Sequence, residues 1–175
     1  MVGTKAARAS NEFAGPLLRV LSFVLFPIWW PVGKSLSLMG RVKLRREVRT
    51  ELSFLFDSHD GSIMPNQGLP RGANAPCVTV GVDGLLIQFL RARGDLFIRV
   101  ASSADPTRWY DLILLLNVVD KSEALEYRSA MDMREAARVL EPRIDRLKEA
   151  FSEGSRRDLS HEYEVAHRAL MARRV

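Results

Sequence analysis

The pattern of apolar and polar residues predicts strands in the middle of the chain. Between residues 77 and 101, apolar residues recur at every second position, and turn-forming residues interrupt them twice. Alternation with period two is typical of half-buried strands. The predicted strands are Cys77–Val82, Leu85–Ala92 and Leu96–Ala101. Asp83-Gly84 and Arg93-Gly94-Asp95 favour tight hairpins, so we predict an antiparallel meander.

The loop before this meander is rich in glycine, proline, asparagine and aspartate, which favour turns. A short apolar stretch, Ser62-Ile63-Met64, interrupts it and could form a fourth strand. Helical patterns occupy the sequence on both sides. The fold class that we predict is therefore α+β, an antiparallel sheet of three to four strands packed with helices and preceded by a hydrophobic helical segment.

The first helical pattern covers residues 36–56. Leu44, Val48, Leu52 and Leu55 recur at helical spacing and form an apolar stripe. On another face of the same helix, arginines recur every four residues; these are Arg41, Arg45 and Arg49. A basic stripe of this kind is usually only a solvated helix face. Because it follows a strongly apolar segment, a position against lipid head groups is the alternative that we consider.

Three helices are predicted after the meander. Asp105 and Pro106 resemble an N-cap and a first helical residue, so a helix is predicted to begin there and extend to Val119. A second helix is predicted from about Met131 to Ser152, with a kink at Pro142. A final helix follows Gly154, with its inward residues at Leu159, Tyr163, Ala166 and Leu170.

The basic charge of the chain is concentrated near its beginning. The chain has 26 basic and 21 acidic residues, of which nine basic and two acidic residues lie within residues 1–50. That part therefore carries a charge of +7 and the remainder −2. We predict a hydrophobic, basic N-terminal segment over residues 1–40 and an α+β globular domain over residues 41–175. The nearly neutral domain argues against nucleic-acid binding.

Residues 13–33 form the most apolar segment, with a length close to that of a membrane-spanning helix. Arg19, Pro27 and Pro31 disfavour a simple span, whereas Trp29-Trp30 suits a membrane interface. Three interpretations remain: an interfacial or re-entrant helix, a span with its C-terminal side in the cytoplasm, or a helix packed within protein. The predicted membrane-binding residues are Leu21, Phe23, Phe26, Trp29, Trp30, Lys34, Arg41 and Arg45.

The sequence contains no recognisable catalytic or metal-binding motif. Cys77, the single cysteine, opens an apolar strand, so we interpret it as a small core residue. The three histidines, His59, His161 and His167, lack the spacing of a zinc site. No phosphate-binding glycine loop is present either. We therefore predict no enzymatic activity, no cofactor and no bound metal.

A group of arginines near the meander accompanies an aromatic residue. These predicted partner-binding residues are Arg91, Arg93, Arg99, Arg108 and Trp109. Arginine and tryptophan are enriched where binding energy concentrates in protein interfaces, and a guanidinium group can stack on an indole ring. The alternative is that the arginines are ordinary solvated residues on strands and turns.

A resemblance adds to this reading over about residues 45–120. The helix Glu51–Phe56, the strand Cys77–Val80, the Arg91-Ala92-Arg93-Gly94 turn and Trp109-Tyr110-Asp111-Leu112 resemble small bacterial α+β proteins, some of which look like immunity proteins of toxin systems. The resemblance implies a protein partner and no catalytic residues. We expect a non-enzymatic protein-binding module at the cytoplasmic face of the inner membrane. The alternative is an assembly subunit whose N-terminal arm packs into a larger protein complex.

Overall fold

Five antiparallel strands form a single sheet in the order of the sequence, β1-β2-β3-β4-β5. The computed structural model describes residues 38–65, 75–121, 125–127, 130–152 and 156–172. The strands are β1 (Ser62–Met64), β2 (Cys77–Val82), β3 (Leu85–Ala92), β4 (Asp95–Ser102) and β5 (Asp105–Asp111). The predicted α+β class with an antiparallel meander is confirmed, and the sheet has one strand more than the four predicted.

Both predicted hairpin turns are tight. Asp83 and Gly84 have φ angles of 40° and 85°, and Arg93 and Gly94 have 54° and 96°. Two successive residues with positive φ are typical of the two-residue turn that matches the twist of paired strands. The second turn fixes the register between β3 and β4, in which Leu90 pairs with Phe97 and Gln88 with Arg99.

The fifth strand corrects the helix predicted from Asp105. Asp105 accepts a hydrogen bond from the backbone of Thr107, but the chain then continues extended through Asp111. The carboxylate therefore stabilises a local turn of the Asx type and does not cap a helix. Pro106 lies in an edge strand, where a missing N–H group is tolerated. The helix α3 (Leu112–Val119) begins seven residues later, capped by the side chain of Asp111.

Helices precede and follow the strands along the chain. Helix α1 covers residues 38–51 of the described chain. The others are α2 (Phe54–Asp57), α4 (Met133–Leu140), α5 (Ile144–Ala150) and α6 (Arg156–Ala172). A 3₁₀ turn that contains Pro142 separates α4 from α5, as the predicted kink requires. Most of the loop between β1 and β2 lies outside the described residues.

The main core lies on one face of the sheet. Val80, Ile87 and Val100 from this face have no exposed area, and they share one apolar cluster with helix residues. The helix residues of this cluster include Leu44, Val48, Leu52 and Leu55, as predicted, and Leu115, Leu116, Leu140, Ile144 and Leu147. We call this the helical face of the sheet. Packing against this face accounts for the apolar stripes of the predicted helices.

The opposite face of the sheet is also largely buried. Thr79 and Gln88, which are neighbours in the register of β2 and β3, have no exposed area. Leu86 and Ala101 are buried beside them and are not part of the main core cluster. We call this the second face.

None of the described helices is long and apolar enough to cross a membrane. The apolar segment over residues 13–33 lies outside the described residues, and so does the predicted helix within it. The predicted division of the chain at residue 40 therefore stays a prediction.

Candidate functional site

Strand alternation divides the predicted arginine patch between the two faces of the sheet. Arg91 has the same parity on β3 as Phe89, which belongs to the main core, so it belongs to the helical face. Arg99 pairs with Gln88 and therefore lies on the second face, to which Trp109 of β5 also belongs. The structure brings together Arg99 and Trp109 and separates them from the other arginines.

Arg99 and Trp109 form a cation–π pair. The guanidinium carbon of Arg99 lies 5.8 Å from the centre of the Trp109 ring, within the range of a cation–π contact. One guanidinium nitrogen of Arg99 donates a hydrogen bond to the side-chain oxygen of Gln88. Because Gln88 is fully buried, this bond holds the planar guanidinium group in a fixed orientation beside the indole ring.

Two donors of this pair have no acceptor. Nε of Arg99 and Nε1 of Trp109 are buried, and neither atom has a hydrogen-bond partner within the described part of the chain. Most buried polar groups in proteins are hydrogen-bonded, and an unsatisfied donor carries a desolvation cost of about 1–3 kcal/mol. A carboxylate or carbonyl oxygen is the kind of acceptor that would satisfy such donors. We call Gln88, Arg99 and Trp109 the arginine–tryptophan site.

Arg91 is engaged in an ion pair. Its guanidinium nitrogens lie 3.0 and 3.4 Å from the carboxylate oxygens of Glu47 on α1. Both side chains are about a third exposed, at 31% and 27%. A cleft of about 290 Å³ beside Arg91 is also lined by Asp95 and Asp132. Arg91 therefore attaches α1 to the sheet.

Arg93 and Arg108 lie apart from the arginine–tryptophan site. Arg93 is exposed in the turn between β3 and β4. Arg108 donates a hydrogen bond of 2.6 Å to the hydroxyl oxygen of Ser160 on α6. It borders a pocket of about 60 Å³ together with Tyr110 and Phe151. Arg108 thus links the edge strand to the last helix.

The predicted membrane-binding residues divide between the described and undescribed parts of the chain. Leu21, Phe23, Phe26, Trp29, Trp30 and Lys34 lie outside the described residues. Arg41 and Arg45 are exposed on α1, and so is Arg49 one turn further along. The basic stripe is therefore exposed on α1 and lies beside the stripe that enters the core.

The thiol of Cys77 is a core group. The side chain is 2% exposed, and burial raises its pKa to about 11, against the smaller lowering effects of Arg99 and Arg41. At neutral pH the nucleophilic thiolate is therefore scarce. Within the described residues, no group of three histidine, cysteine, aspartate or glutamate side chains is placed to hold a metal ion.

Gln88, which orients Arg99, is not among the binding residues predicted from the sequence. The signal was available, because Gln88 is the one polar residue in the apolar run Leu85–Leu90. A buried amide at such a position needs a partner, and the cross-strand neighbour supplies it. Comparison of the chain with protein-family models, with curated proteins and with solved structures gives no match.

Proposed function

We propose that the protein is a non-enzymatic protein-binding module apposed to the cytoplasmic face of the inner membrane. The observation that carries the binding role is the arginine–tryptophan site, with its two buried donors that have no acceptor in the described chain. An immunity-like role, in which the partner is a toxin, is one specific version of this proposal.

The chemistry of the site favours recognition. An arginine guanidinium group stays protonated at physiological pH, and an indole ring supplies neither a base nor a nucleophile. Both groups donate hydrogen bonds and offer flat apolar surface, and such residues dominate the energy of many interfaces. A partner that places an acidic side chain or a backbone carbonyl at Arg99 and Trp109 would satisfy both donors.

The same donors define the first experiment. The tagged full-length chain would be cross-linked in its own cells, its partner identified by mass spectrometry, and the affinity then measured with the purified partner. Trp109→Phe removes the N–H donor and keeps a smaller aromatic ring, and Arg99→Lys keeps the charge without the planar donors. We expect each to weaken binding by about tenfold or more.

Arg93→Lys is the matched control, because it alters an exposed arginine away from the site. It should leave the affinity unchanged. A partner that binds all four proteins equally would contradict a role for the arginine–tryptophan site. If the identified partner is a toxin, a growth assay tests the immunity version, and absence of protection would remove that version alone.

A further inference from the structure

Helix α1 presents two chemically different faces. Leu44 and Val48 are 1% and 0% exposed and enter the main core. The exposed face carries four basic residues, Lys43, Arg45, Arg46 and Arg49. Val42 lies among them and is 64% exposed. We call these five residues the outward face of α1.

The acidic residues of α1 point away from this face. Glu47 pairs with Arg91 of the sheet at 3.0 Å, and Glu51 pairs with Arg134 of α4 at 3.6 Å. Both carboxylates are thus neutralised by cations from other elements. Among the described residues, the structure shows no ion pair to any of the four basic side chains of the outward face. The positive charge there is concentrated and uncompensated by the acids of its own helix.

We infer that the outward face of α1 docks on an anionic lipid bilayer, with the helix lying parallel to the surface. In that orientation the basic side chains reach lipid phosphate and carboxylate groups, and Val42 enters the head-group region. This inference rests on the membrane apposition in the proposed function and names the surface that makes it. The sheet and the remaining helices then lie on the solvent side of α1.

The exposed apolar side chain of Val42 favours a bilayer over a nucleic acid. A phosphate backbone attracts the same arginines, but it offers nothing apolar to Val42. A bilayer surface accepts both groups together, since basic side chains remain at the head groups while apolar ones are buried beneath them. An anionic lipid surface therefore suits a helix face on which basic and apolar residues are interleaved.

The test is vesicle co-sedimentation of the full-length chain. Vesicles would contain phosphatidylcholine alone or phosphatidylcholine with 30% phosphatidylserine, each at low and high salt. We expect binding to the anionic vesicles that weakens with salt. The double variant Arg45→Gln/Arg49→Gln should lower the partition coefficient by about fivefold per charge, hence about 25-fold. Val42→Ser should lower it further at either salt concentration.

The matched control is Arg138→Gln/Arg168→Gln, which removes the same charge from exposed positions on α4 and α6. Its binding should equal that of the unchanged chain. Circular dichroism would verify that all variants are folded. If the double variant binds as well as the unchanged chain, the inference for α1 is wrong while membrane apposition stands. If the unchanged chain binds no vesicles, both fail, and the partner assay at Arg99 still tests the binding role.

A labelled DNA duplex and a labelled RNA duplex complete the assay. Binding of either one with the same dependence on Arg45 and Arg49, together with no binding to vesicles, would overturn the inference in favour of a nucleic-acid surface. Binding to anionic vesicles in preference to either duplex supports it.

Discussion

The ammonium group of Lys148 on α5 lies 2.9 Å from Nδ1 of His59, in the loop before β1. Lysine can only donate, so Nδ1 of His59 is the acceptor in this contact. Lys148 also donates to Asp83 in the first hairpin turn at 2.8 Å, and it lies 3.4 Å from Asp145. One lysine therefore joins a loop, a hairpin turn and a helix that are distant in sequence.

The pair formed by Lys148 and Asp83 predicts a defined pH dependence of stability. The hydrogen bond from Lys148 and its positive charge lower the pKa of Asp83 below its ordinary 3.8. A lowered carboxyl pKa means that the folded state binds the proton less tightly, so the pair stabilises the fold above pH 3.8. This contribution is lost as the pH falls through the lowered pKa. Asp83→Asn should therefore be less stable than the unchanged chain at neutral pH, by a small amount because Asp83 is exposed.

Urea unfolding of both proteins between pH 2 and pH 8 measures this effect. The two stabilities should converge as the pH falls below the ordinary range of aspartate. Asp95→Asn serves as the control, since Asp95 begins the strand after the other hairpin turn and is exposed. A stability difference for Asp83→Asn that is as large at pH 2 as at pH 7 would refute the role of its charge.

A second prediction concerns the buried carboxylate at the end of α3. Asp120 has a side chain that is 6% exposed, and its oxygen lies 2.7 Å from Arg146 and 3.4 Å from Arg143. Arg143 is itself 10% exposed in its side chain. Removing one partner of a buried ion pair leaves the other charge desolvated without compensation, which typically costs about 3–5 kcal/mol. Asp120→Asn should lower the free energy of unfolding by this amount, measured by urea denaturation.

A surface pair nearby provides the comparison. Lys121 lies 3.1 Å from Glu162, with side chains that are 72% and 47% exposed. Glu162→Gln should cost about 1 kcal/mol or less, because water solvates both charges. Equal losses of stability from the two variants would show that burial does not determine the value of the ion pair at Asp120.

The strands that could be predicted are those whose signals are local. Alternation from Cys77 to Ala101 and the two turn dipeptides specify β2, β3 and β4 without reference to the rest of the chain. The edge strand β5 depends on pairing with β4, for example Tyr110 with Val100, and that contact is not visible in a local pattern. The cap-like Asp105-Pro106 therefore favoured a helix in the sequence analysis, although the aromatic residues that follow suit a strand.

The arginine–tryptophan site was predictable only in part. Arg99 and Trp109 were among the predicted binding residues, but Arg91 was grouped with them. A two-residue turn pairs odd-numbered positions of β3 with even-numbered positions of β4, and this places Arg91 and Arg99 on opposite faces. The turn type, which is visible in the sequence, is therefore sufficient to assign Arg91 and Arg99 to different faces of the sheet. The ion pair from Arg91 to Glu47 could not be foreseen, because it depends on how α1 packs against the sheet.

The N-cap of α3 allows a stabilising substitution to be predicted. Asp111 accepts a hydrogen bond of 3.2 Å from the backbone N–H of Leu114, and burial raises its pKa above 3.8 despite that bond. A raised carboxyl pKa means that the folded state favours the protonated form, so the ionised group destabilises the fold as the pH rises through that pKa. Asn caps helices as well as Asp and carries no charge. Asp111→Asn should therefore be the more stable protein at neutral pH, and its advantage should disappear at pH values below 3.8.

Asp111→Ala, which removes the cap, should instead lose about 1 kcal/mol of stability. Thermal and urea unfolding of the three proteins from pH 3 to pH 8 measures both effects, and an Asn variant as unstable as the Ala variant at pH 7 would disprove the account of this carboxylate.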